Sequence, residues 1–349
     1  MIVQMSKVST KKDLDNIVSY LTNLGYGIKD ASSDNVVLFG VLGDVNLLDI
    51  EQVKSFNGVL NVTRISSPYK LASKSLKHEP TIITLKNGVK IGGDDFVMMA
   101  GPCSVESEEQ LDTIAKALSE SGVRVLRGGV FKPRTSPYSF QGLGVEGLKL
   151  MRKIADKYNM AIITELMGVD EIDEFVKYAD IIQVGARNMQ NFTLLKEIGK
   201  TKLPVMLKRG FSNTIEEWLM SAEYIMAGGN ESVILCERGI RTFEKYTRNT
   251  LDISAVLAVK ELSHLPIIID PSHAAGRWEL IEKLSLASYA VGADGLIVEV
   301  HHEPEKAFSD GRQSLKPEKY DHMANELRKL STVLGRDIKW KKFLLSVLV

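Results

Sequence analysis

The sequence predicts an α/β protein in which a (β/α)8 barrel follows a small βαββαβ domain of the ferredoxin-like type. Three observations predict this architecture: the length, an eightfold alternation of apolar strands with helical stretches, and a different spacing at the N-terminus. The chain has 349 residues, which suffices for a barrel of about 250 residues and a small additional module. Hydrophobic residues make up 44% and charged residues 25%, so a core of ordinary size can form.

The first 66 residues alternate between strand and helix in the order of a ferredoxin-like domain. We predict strands at 1–5, 35–42 and 59–65, and helices at 11–24 and 47–56. The first helix is predicted from apolar residues that recur at the spacing of one helical face: Leu14, Ile17, Val18 and Leu21. Residues 1–66 are therefore predicted to form one domain.

Residues 67–94 are predicted to be a linker followed by a hairpin. The polar stretch 66–80 contains Pro68 and three lysines, which is typical of a connection between domains. Asn87 and Gly88 together favour the tight turn of a β-hairpin. The barrel is predicted to occupy residues 95–349.

Eight short segments after residue 95 are rich in Val and Ile and apolar on both faces. They are FVMMAGPCS, VRVLRGGV, MAIITELM, DIIQVGA, LPVMLKRG, SVILCERG, LPIIIDPSH and GLIVEVHH. Strands of this kind, separated by helical stretches, indicate a parallel sheet covered by helices. An open doubly wound sheet is the alternative. Eight units without a G-x-G-x-x-G motif after the first strand favour the closed barrel.

The charge and cysteine content narrow the range of partners and compartments. Lys and Arg number 44, as do Asp and Glu, so the balance indicates neither a nucleic acid nor a membrane partner. Cys103 and Cys236 are the two cysteines, which points to a reducing compartment and not to a disulfide framework. Because the N-terminus lacks the apolar segment of a signal peptide, we expect the protein to be cytoplasmic.

Basic residues are concentrated where the predicted strands end, which is where a (β/α)8 barrel carries its active site. The cluster consists of Arg127, Lys132, Arg134, Arg187, Lys208, Arg209 and Arg238. Solvated surface charge is the ordinary alternative, but Arg127 and Lys208 directly adjoin apolar strands, where an unpaired charge is costly. Arg209 has the opposite strand parity to Lys208. The cluster predicts a site for a phosphate or carboxylate.

A second group of strand-end residues combines sulfur, nitrogen and oxygen ligands. Its members are Cys103, His273, Glu299 and Asp310. Each alone has a structural explanation, since a single Cys is more often a core residue. Together, on strands that become neighbours when the barrel closes, they predict a divalent ion such as Mn, Fe, Co or Zn. His301 shares the parity of Glu299 and could compete as a ligand, whereas Cys236 is interpreted as a packing residue.

The strand-end motifs resemble those of the 3-deoxy-D-arabino-heptulosonate 7-phosphate synthase family, the first enzymes of the shikimate pathway. The resemblance rests on AGPCSVES, RGGVFKPRTSPYSFQG, VGARNMQNF, LKRG, DPSHAAG and VEVHHEP. It covers the whole barrel, and the KPRTSP loop is its most specific part. The ferredoxin-like module places the chain near the short, regulated branch of that family.

This resemblance implies that phosphoenolpyruvate and erythrose 4-phosphate are joined with release of phosphate. It also implies that Cys103, His273, Glu299 and Asp310 bind a metal ion. The phosphoenolpyruvate pocket would contain Arg127, Lys132, Arg187, Lys208 and Arg238, the backbone N–H of Ala186 and, at its border, Glu165. The erythrose 4-phosphate contacts would be Pro133, Arg134, Thr135 and Ser136.

The expected chemistry agrees with these residues. A basic rim neutralises two anionic substrates, and a metal polarises the aldehyde carbonyl as a Lewis acid. Cys103 and His273 would take part in catalysis as metal ligands. Lys132 is the candidate for proton transfer to the forming hydroxyl, although it could serve only as a phosphate clamp. Glu165 and a water molecule on the metal are the alternative proton carriers.

Two other classes of function remain open from the sequence, a related synthase and a barrel without catalytic activity. One is 3-deoxy-D-manno-octulosonate 8-phosphate synthase, which shares the barrel but condenses arabinose 5-phosphate. A sialic-acid-type synthase is a weaker candidate because its acceptor is not phosphorylated. The other is a barrel without catalytic activity that acts as an effector sensor. Function resides in the site and not in the shared fold, and the intact metal and anion sets favour the enzyme.

The N-terminal module has no evident catalytic group. We expect it to mediate feedback inhibition by tyrosine or phenylalanine, bound where this domain meets a neighbouring subunit. A role in oligomer contacts alone is the alternative, because allostery requires a second site. The resemblance implies a homotetramer, and whether a chorismate mutase binds in trans is left open.

Overall fold

The computed structural model describes residues 1–32, 37–63, 68–132 and 138–335. It divides into two compact units. The first comprises Met1–Glu79 with Leu262–His264, and the second comprises Pro80–Glu261 with Leu265–Val349. Across the described ranges, no helix is at once long and apolar enough to cross a membrane.

The first unit contains a four-stranded antiparallel sheet with the strand order β2-β3-β1-β4. Its strands are β1 (Ile2–Met5), β2 (Gly27–Asp30), β3 (Val37–Leu42) and β4 (Val59–Thr63), and its helices are α1 (Lys11–Asn23) and α2 (Ile50–Lys54). The predicted ferredoxin-like arrangement is confirmed. The predicted strand 35–42 begins, and the predicted strand 59–65 ends, at residues that lie outside the described ranges.

Helix α1 shows how the local sequence produces this unit. Thr10 caps the helix, because its hydroxyl accepts a hydrogen bond from the Asp13 N–H at 3.2 Å while Asp13 Oδ2 accepts one from the Thr10 N–H at 2.9 Å. Ile17 and Leu21 are fully buried in a core shared with Val3 of the sheet. Each buried side chain of this size contributes about 1.5–3 kcal/mol.

A hairpin begins the second unit. Strands β5 (Ile83–Thr84) and β6 (Lys90–Ile91) pair antiparallel, as predicted, with a hydrogen bond from the Gly88 N–H to Leu85 O at 2.9 Å in the turn. Apolar residues of the hairpin share a core cluster with the first residues of several barrel strands. The hairpin therefore covers the N-terminal end of the barrel.

Eight parallel strands close into the predicted barrel, with neighbours in chain order from first to last. They are β7 (Val97–Gly101), β8 (Val125–Arg127), β9 (Ala161–Glu165), β10 (Ile181–Val184), β11 (Val205–Lys208), β12 (Val233–Glu237), β13 (Ile267–Ile269) and β14 (Gly295–Glu299). Their residues are almost all buried, which explains the continuous apolar runs of the sequence.

Helices cover the outside of this barrel. They are α3 (Glu108–Glu120), α4 (Gly144–Lys157), α5 (Ile172–Tyr178), α6 (Phe192–Gly199), α7 (Ile215–Ala227), α8 (Ser254–Leu262), α9 (Pro271–Ala275), α10 (Trp278–Ala290) and α11 (Pro317–Leu334). The short α9 follows directly after β13, so it lies at the C-terminal end of the barrel. This end carries the candidate site.

Candidate active site

Cys103, Glu299 and Asp310 form a compact cluster at the C-terminal ends of β7 and β14. Each offers one ligand atom, and the three atoms lie within 4.8 Å of one another. Cys103 Sγ is 3.5 Å from Asp310 Oδ2. The closure of the barrel produces this proximity, because Glu299 lies opposite Gly101 in the β14–β7 pair. The cluster is thus a candidate metal site.

Gly101 allows β7 and β8 to approach closely just before Cys103. Its φ is +153°, and a Cβ at this position would lie 2.0 Å from the carbonyl oxygen of Arg127. Any larger residue would separate these two strands. The glycine therefore helps to place Cys103 beside the residues at the end of β8.

His273 joins the cluster through Glu299. It lies on α9, and its Nε2 is 3.4 Å from Glu299 Oε1. Its backbone N–H donates to Asp270 Oδ1 at 2.9 Å, which caps the helix. The four residues predicted as metal ligands therefore lie together, three of them in mutual proximity and His273 beside one of the three.

Asp270 has an orienting role that the sequence reasoning missed. Its Oδ2 lies 2.7 Å from His273 Nδ1 and 2.5 Å from Lys208 Nζ. Burial raises the pKa of Asp270, but His273 and Lys208 outweigh it and hold this pKa well below the usual range. A carboxylate on one imidazole nitrogen fixes the ring and directs the other nitrogen toward a ligand. The sequence contained a signal for this role, since Asp270 stands at a strand end three residues before His273.

The Glu299 carboxylate is buried and ionised. Arg127 Nη1 lies 2.6 Å from Oε1, and Gln313 Nε2 donates to Oε2 at 2.8 Å. Burial raises the pKa of Glu299, but His273 and Arg127 outweigh this effect and lower it to about 2. A negative charge is therefore available in the cluster at neutral pH.

Asp310 is held in an unusual backbone conformation. Its φ is +51°, a region that few residues other than glycine adopt and in which Asp is enriched. Arg248 Nη1 lies 3.2 Å from Asp310 Oδ1 and donates to Gln313 Oε1 at 2.8 Å. Arg248 and Gln313 were not identified from the sequence, because both lie in long loops without a regular spacing.

The Cys103 thiol contacts Lys132. Lys132 Nζ lies 3.1 Å from Cys103 Sγ and donates to Cys103 O at 3.0 Å. Burial and the Glu299 charge raise the pKa of Cys103 to about 11, against the opposing effects of Lys132 and Arg127. The free thiol is therefore protonated at neutral pH, and a bound cation is what would favour the thiolate.

Two of the predicted anion-binding residues are buried in ion pairs. Arg127 pairs with Glu299, and Lys208 pairs with Asp270. The Arg127 Nε is buried and has no hydrogen-bond partner in the described ranges. Such a donor costs free energy unless a ligand or water satisfies it. Arg127 is thus both a support for Glu299 and a donor available to an anion.

Arg187 and Arg238 stand close to one aromatic ring. Their guanidinium carbons lie 5.7 Å and 4.8 Å from the centroid of Phe211. Arg238 is buried and Arg187 is exposed. The two arginines follow β10 and β12, the strands on either side of β11.

Arg209 faces away from the anion-binding residues. Its Nη1 lies 3.0 Å from Glu237 Oε2 and 2.7 Å from Asp252 Oδ2. Opposite strand parity explains this difference from Lys208. Its inclusion in the basic cluster is therefore corrected: Arg209 is part of a structural ion-pair network.

Glu165 and Ala186 lie at the ends of neighbouring strands. Glu165 ends β9 and is partly exposed, and a Cβ on Gly185 would come within 1.9 Å of its Oε1. Gly185 therefore leaves room for the Glu165 carboxylate. Ala186 begins a 3-10 helix, Ala186–Asn188, which also contains Arg187.

The remaining candidates have different outcomes. His301 is not part of the metal cluster, since its Nδ1 accepts from the Glu303 N–H at 3.0 Å and its Nε2 lies 3.6 Å from Glu106 Oε2. Cys236 is fully buried in the barrel interior, in agreement with a packing role. The residues predicted to bind erythrose 4-phosphate lie outside the described residues: Pro133, Arg134, Thr135 and Ser136.

A closed (β/α)8 barrel with a buried thiol–carboxylate cluster and several cations at its C-terminal end defines a class of enzymes that act on anionic substrates. The comparison with protein families specifies the class further. Residues 80–335 match the DAHP synthetase I family, and residues 1–67 match the DAHP synthase ferredoxin-like domain. The chain belongs to the DAHP synthetase I family.

Individual relatives agree with this assignment. The phospho-2-dehydro-3-deoxyheptonate aldolase of Thermotoga maritima is 52% identical over 96% of this chain and 99% of its own length. A crystal structure of that enzyme has a TM-score of 0.78 at 50% identity and covers 97% of this chain and 99% of its own. The 2-dehydro-3-deoxyphosphooctonate aldolase of Geobacter sulfurreducens is 32% identical over 70% of this chain and 96% of its own length.

Proposed function

We propose that this chain condenses phosphoenolpyruvate with D-erythrose 4-phosphate. The products are 3-deoxy-D-arabino-heptulosonate 7-phosphate and phosphate, and the reaction is the first step of the shikimate pathway. The observation that carries the proposal is the 52% identity, over nearly the whole chain, to the aldolase of Thermotoga maritima. The cations and the thiol–carboxylate cluster at the barrel end support it.

One divalent cation, Mn, Fe, Co or Zn, would be held by Cys103, His273, Glu299 and Asp310. The donor set fits such an ion, because it combines a thiol, an imidazole and two carboxylates within a few ångströms. The orientation of His273 by Asp270 is the outer contact that metal-binding histidines usually make. When bound, the cation supplies Lewis-acid polarisation of the aldehyde carbonyl.

The phosphoenolpyruvate pocket would be formed by five cations and one backbone donor. These are Arg127, Lys132, Arg187, Lys208 and Arg238, with the N–H of Ala186. The buried Arg127 Nε without a partner in the described ranges supports an anion at this place. Positive charge on several sides lowers the repulsion between two anionic substrates, which is what the reaction requires of the protein.

The condensation forms a C–C bond and a C–O bond to water, and it breaks the C–O bond to the phosphate. C3 of phosphoenolpyruvate attacks the aldehyde carbon, water adds at C2, and the phosphate leaves with the C–O electron pair. Lys132 is the proposed proton donor to the forming hydroxyl, since its Nζ lies 3.1 Å from Cys103 Sγ, next to the cluster. Glu165, at the end of β9, is the alternative proton carrier.

The acceptor site is proposed from the KPRTSP resemblance. Pro133, Arg134, Thr135 and Ser136 follow Lys132 directly in the chain. Lys132, the described residue that immediately precedes them, lies beside the cluster, which supports an acceptor site in this part of the chain. The alternative acceptor, arabinose 5-phosphate, is not favoured, because the 2-dehydro-3-deoxyphosphooctonate aldolase of Geobacter sulfurreducens is similar only at lower identity and over a smaller part of this chain.

Residues 1–66 are proposed as a regulatory domain, residues 67–94 as its connection and residues 95–349 as the catalytic barrel. The match of residues 1–67 to the DAHP synthase ferredoxin-like domain supports this division. Tyrosine or phenylalanine is the proposed inhibitor, with contacts in an oligomer as the alternative role. A homotetramer and a cytoplasmic location complete the proposal.

A direct assay tests the proposed reaction. Full-length protein with Mn²⁺ is given phosphoenolpyruvate and either erythrose 4-phosphate or arabinose 5-phosphate, and phosphate and the 3-deoxy sugar are both measured. We expect equal amounts of both products with erythrose 4-phosphate, loss of turnover with a chelator, and recovery when metal is restored. Faster turnover of arabinose 5-phosphate would establish the alternative synthase, and no phosphate release with either sugar would indicate a binding barrel.

A further inference from the structure

Phe211 lies on the loop after β11 and is surrounded by three arginines. The distances from its ring centroid to the guanidinium carbons are 5.7 Å for Arg187, 4.8 Å for Arg238 and 4.7 Å for Arg241. An aromatic face attracts cations within about 6 Å. One ring therefore lies close to guanidinium groups from the two barrel loops on either side of its own loop.

The backbone fixes this arrangement. The Arg241 N–H donates to Phe211 O at 2.7 Å, which joins the loop after β12 to the loop after β11. The loop after β12 is itself closed by paired hydrogen bonds between Ile240 and Thr250. The backbones of Phe211 and Arg241 are thus held in proximity by contacts that do not depend on the side chains.

None of the three guanidiniums forms an ion pair with a carboxylate in the part of the chain that the structure describes. Arg238 makes one hydrogen bond, from Nη1 to the neighbouring Gly239 O at 3.3 Å. Arg209, by contrast, is paired with two carboxylates. Three like charges around one ring repel each other, and an anion among them would relieve that repulsion.

We propose that Phe211 is a positioning residue that holds Arg187, Arg238 and Arg241 as one phosphate subsite, and that Arg241 is a further substrate-binding residue. The inference rests on the proposed function, with the phosphate group of phosphoenolpyruvate as the anion. Arg187 and Arg238 were already expected in the pocket, whereas neither Phe211 nor Arg241 was.

The chemistry of the guanidinium explains why an aromatic ring suits this position. A carboxylate holds an arginine by occupying its N–H donors, and it would compete with a substrate phosphate for them. A π-face attracts the same cation electrostatically without accepting conventional hydrogen bonds. Phe211 can therefore order the three arginines while their N–H groups remain available to the phosphate.

Four variants of the full chain test the inference: Phe211→Leu, Phe211→Tyr, Arg241→Gln and Phe243→Leu. Phe211→Leu removes the π-face, Phe211→Tyr retains it, and Phe243→Leu changes a ring on the same loop as Arg241 that is 95% exposed. The measurements are kcat, KM for each substrate, and the equilibrium Kd of phosphoenolpyruvate in the presence of Mn²⁺.

Phe211→Leu and Arg241→Gln should each raise KM and Kd for phosphoenolpyruvate by about tenfold, as expected from loss of about 1.4 kcal/mol of cation–π or charge-assisted binding. The KM for erythrose 4-phosphate and kcat should change by less than about threefold. Phe211→Tyr should restore most of the affinity, and Phe243→Leu should match the unmodified chain.

The outcomes separate this inference from the proposed function. If the unmodified chain neither binds phosphoenolpyruvate nor turns it over, the proposed function fails. If it does both and Phe211→Leu and Arg241→Gln match it, the subsite is wrong. A rise confined to the KM for erythrose 4-phosphate would also overturn the assignment to phosphoenolpyruvate. If Phe211→Leu loses its circular dichroism signal because it does not fold, the test rests on Arg241→Gln alone. An unchanged Kd of phosphoenolpyruvate in Arg241→Gln would then overturn the proposal.

Discussion

The Oδ2 atom of Asp270 lies 2.7 Å from Nδ1 of His273, three residues further along the chain. The same oxygen lies 2.5 Å from Lys208 Nζ. One carboxylate thus connects a proposed metal ligand with a proposed substrate-binding cation. Because Asp270 also caps α9, the start of this helix and the orientation of the imidazole both depend on one side chain.

Asp270→Asn should weaken metal binding by about 10- to 100-fold, since the amide no longer provides the charge that orients and polarises the His273 ring. Titration calorimetry with Mn²⁺ measures this change. Asp49→Asn is a matched control, because Asp49 caps α2 through its side chain and lies far from the cluster in sequence. Equal Mn²⁺ affinity in Asp270→Asn and the unmodified chain would refute the orienting role.

Cys103→Ala should abolish the thiolate-to-metal charge-transfer absorption of the Co²⁺-loaded protein. The reason is that Cys103 is the sulfur ligand of the proposed site, whereas Cys236 is packed in the barrel interior. Cys236→Ala should retain that absorption band and lose about 1 kcal/mol or more of unfolding free energy from the removed buried volume. Ultraviolet absorption during a Co²⁺ titration distinguishes the two variants, and a band that survives in Cys103→Ala contradicts the ligand assignment.

Asp252→Asn should destabilise the protein at neutral pH but not in acid. Burial raises the pKa of Asp252, but hydrogen bonds from Ser254 and Arg209 outweigh burial and lower it below its usual value of 3.8. The folded state therefore binds fewer protons than the unfolded state, and the stabilisation is present above about pH 4 and lost as the pH falls through the folded pKa.

Urea unfolding of both proteins at several pH values measures this effect. The difference in unfolding free energy between the unmodified chain and Asp252→Asn should be largest near neutrality and should shrink as the pH falls below about 4. A difference that stays constant between neutral and acidic pH is inconsistent with an ionised Asp252 paired with Arg209.

Deletion of residues 1–66 should leave turnover intact and remove inhibition by tyrosine or phenylalanine. The second compact unit contains the whole barrel and the candidate cluster. Initial rates with each amino acid provide the measurement, and undiminished inhibition of the shortened chain would exclude the regulatory role.

The barrel and much of the candidate site were predictable because both follow from short-range sequence patterns. Each strand appears as an apolar run, and chemistry-bearing residues follow directly at its end, as Cys103 and Glu299 do. Strand β2 was harder to locate, since its sequence GIKD is weakly apolar and it is defined by pairing with β3. Such pairing depends on the tertiary fold and leaves little local signal.

The contacts between loops could not be predicted. Phe211 and Arg241 lie 30 positions apart in the chain, and no spacing rule connects the ends of different barrel strands. Gln313 and Arg248 are in the same situation, because their partners are fixed by loop conformations such as the positive φ of Asp310. Strand parity, in contrast, correctly indicated that Arg209 differs from Lys208. Arg209 pairs with Glu237 and Asp252.

A crystal structure of the full chain with Mn²⁺ and phosphoenolpyruvate tests the central claim most directly, through the anomalous signal of the metal. We expect one anomalous peak bonded to Cys103, His273, Glu299 and Asp310, with the phosphoenolpyruvate phosphate against Arg187 and Arg238. A metal peak at another position, or phosphoenolpyruvate bound away from these arginines, would contradict the account.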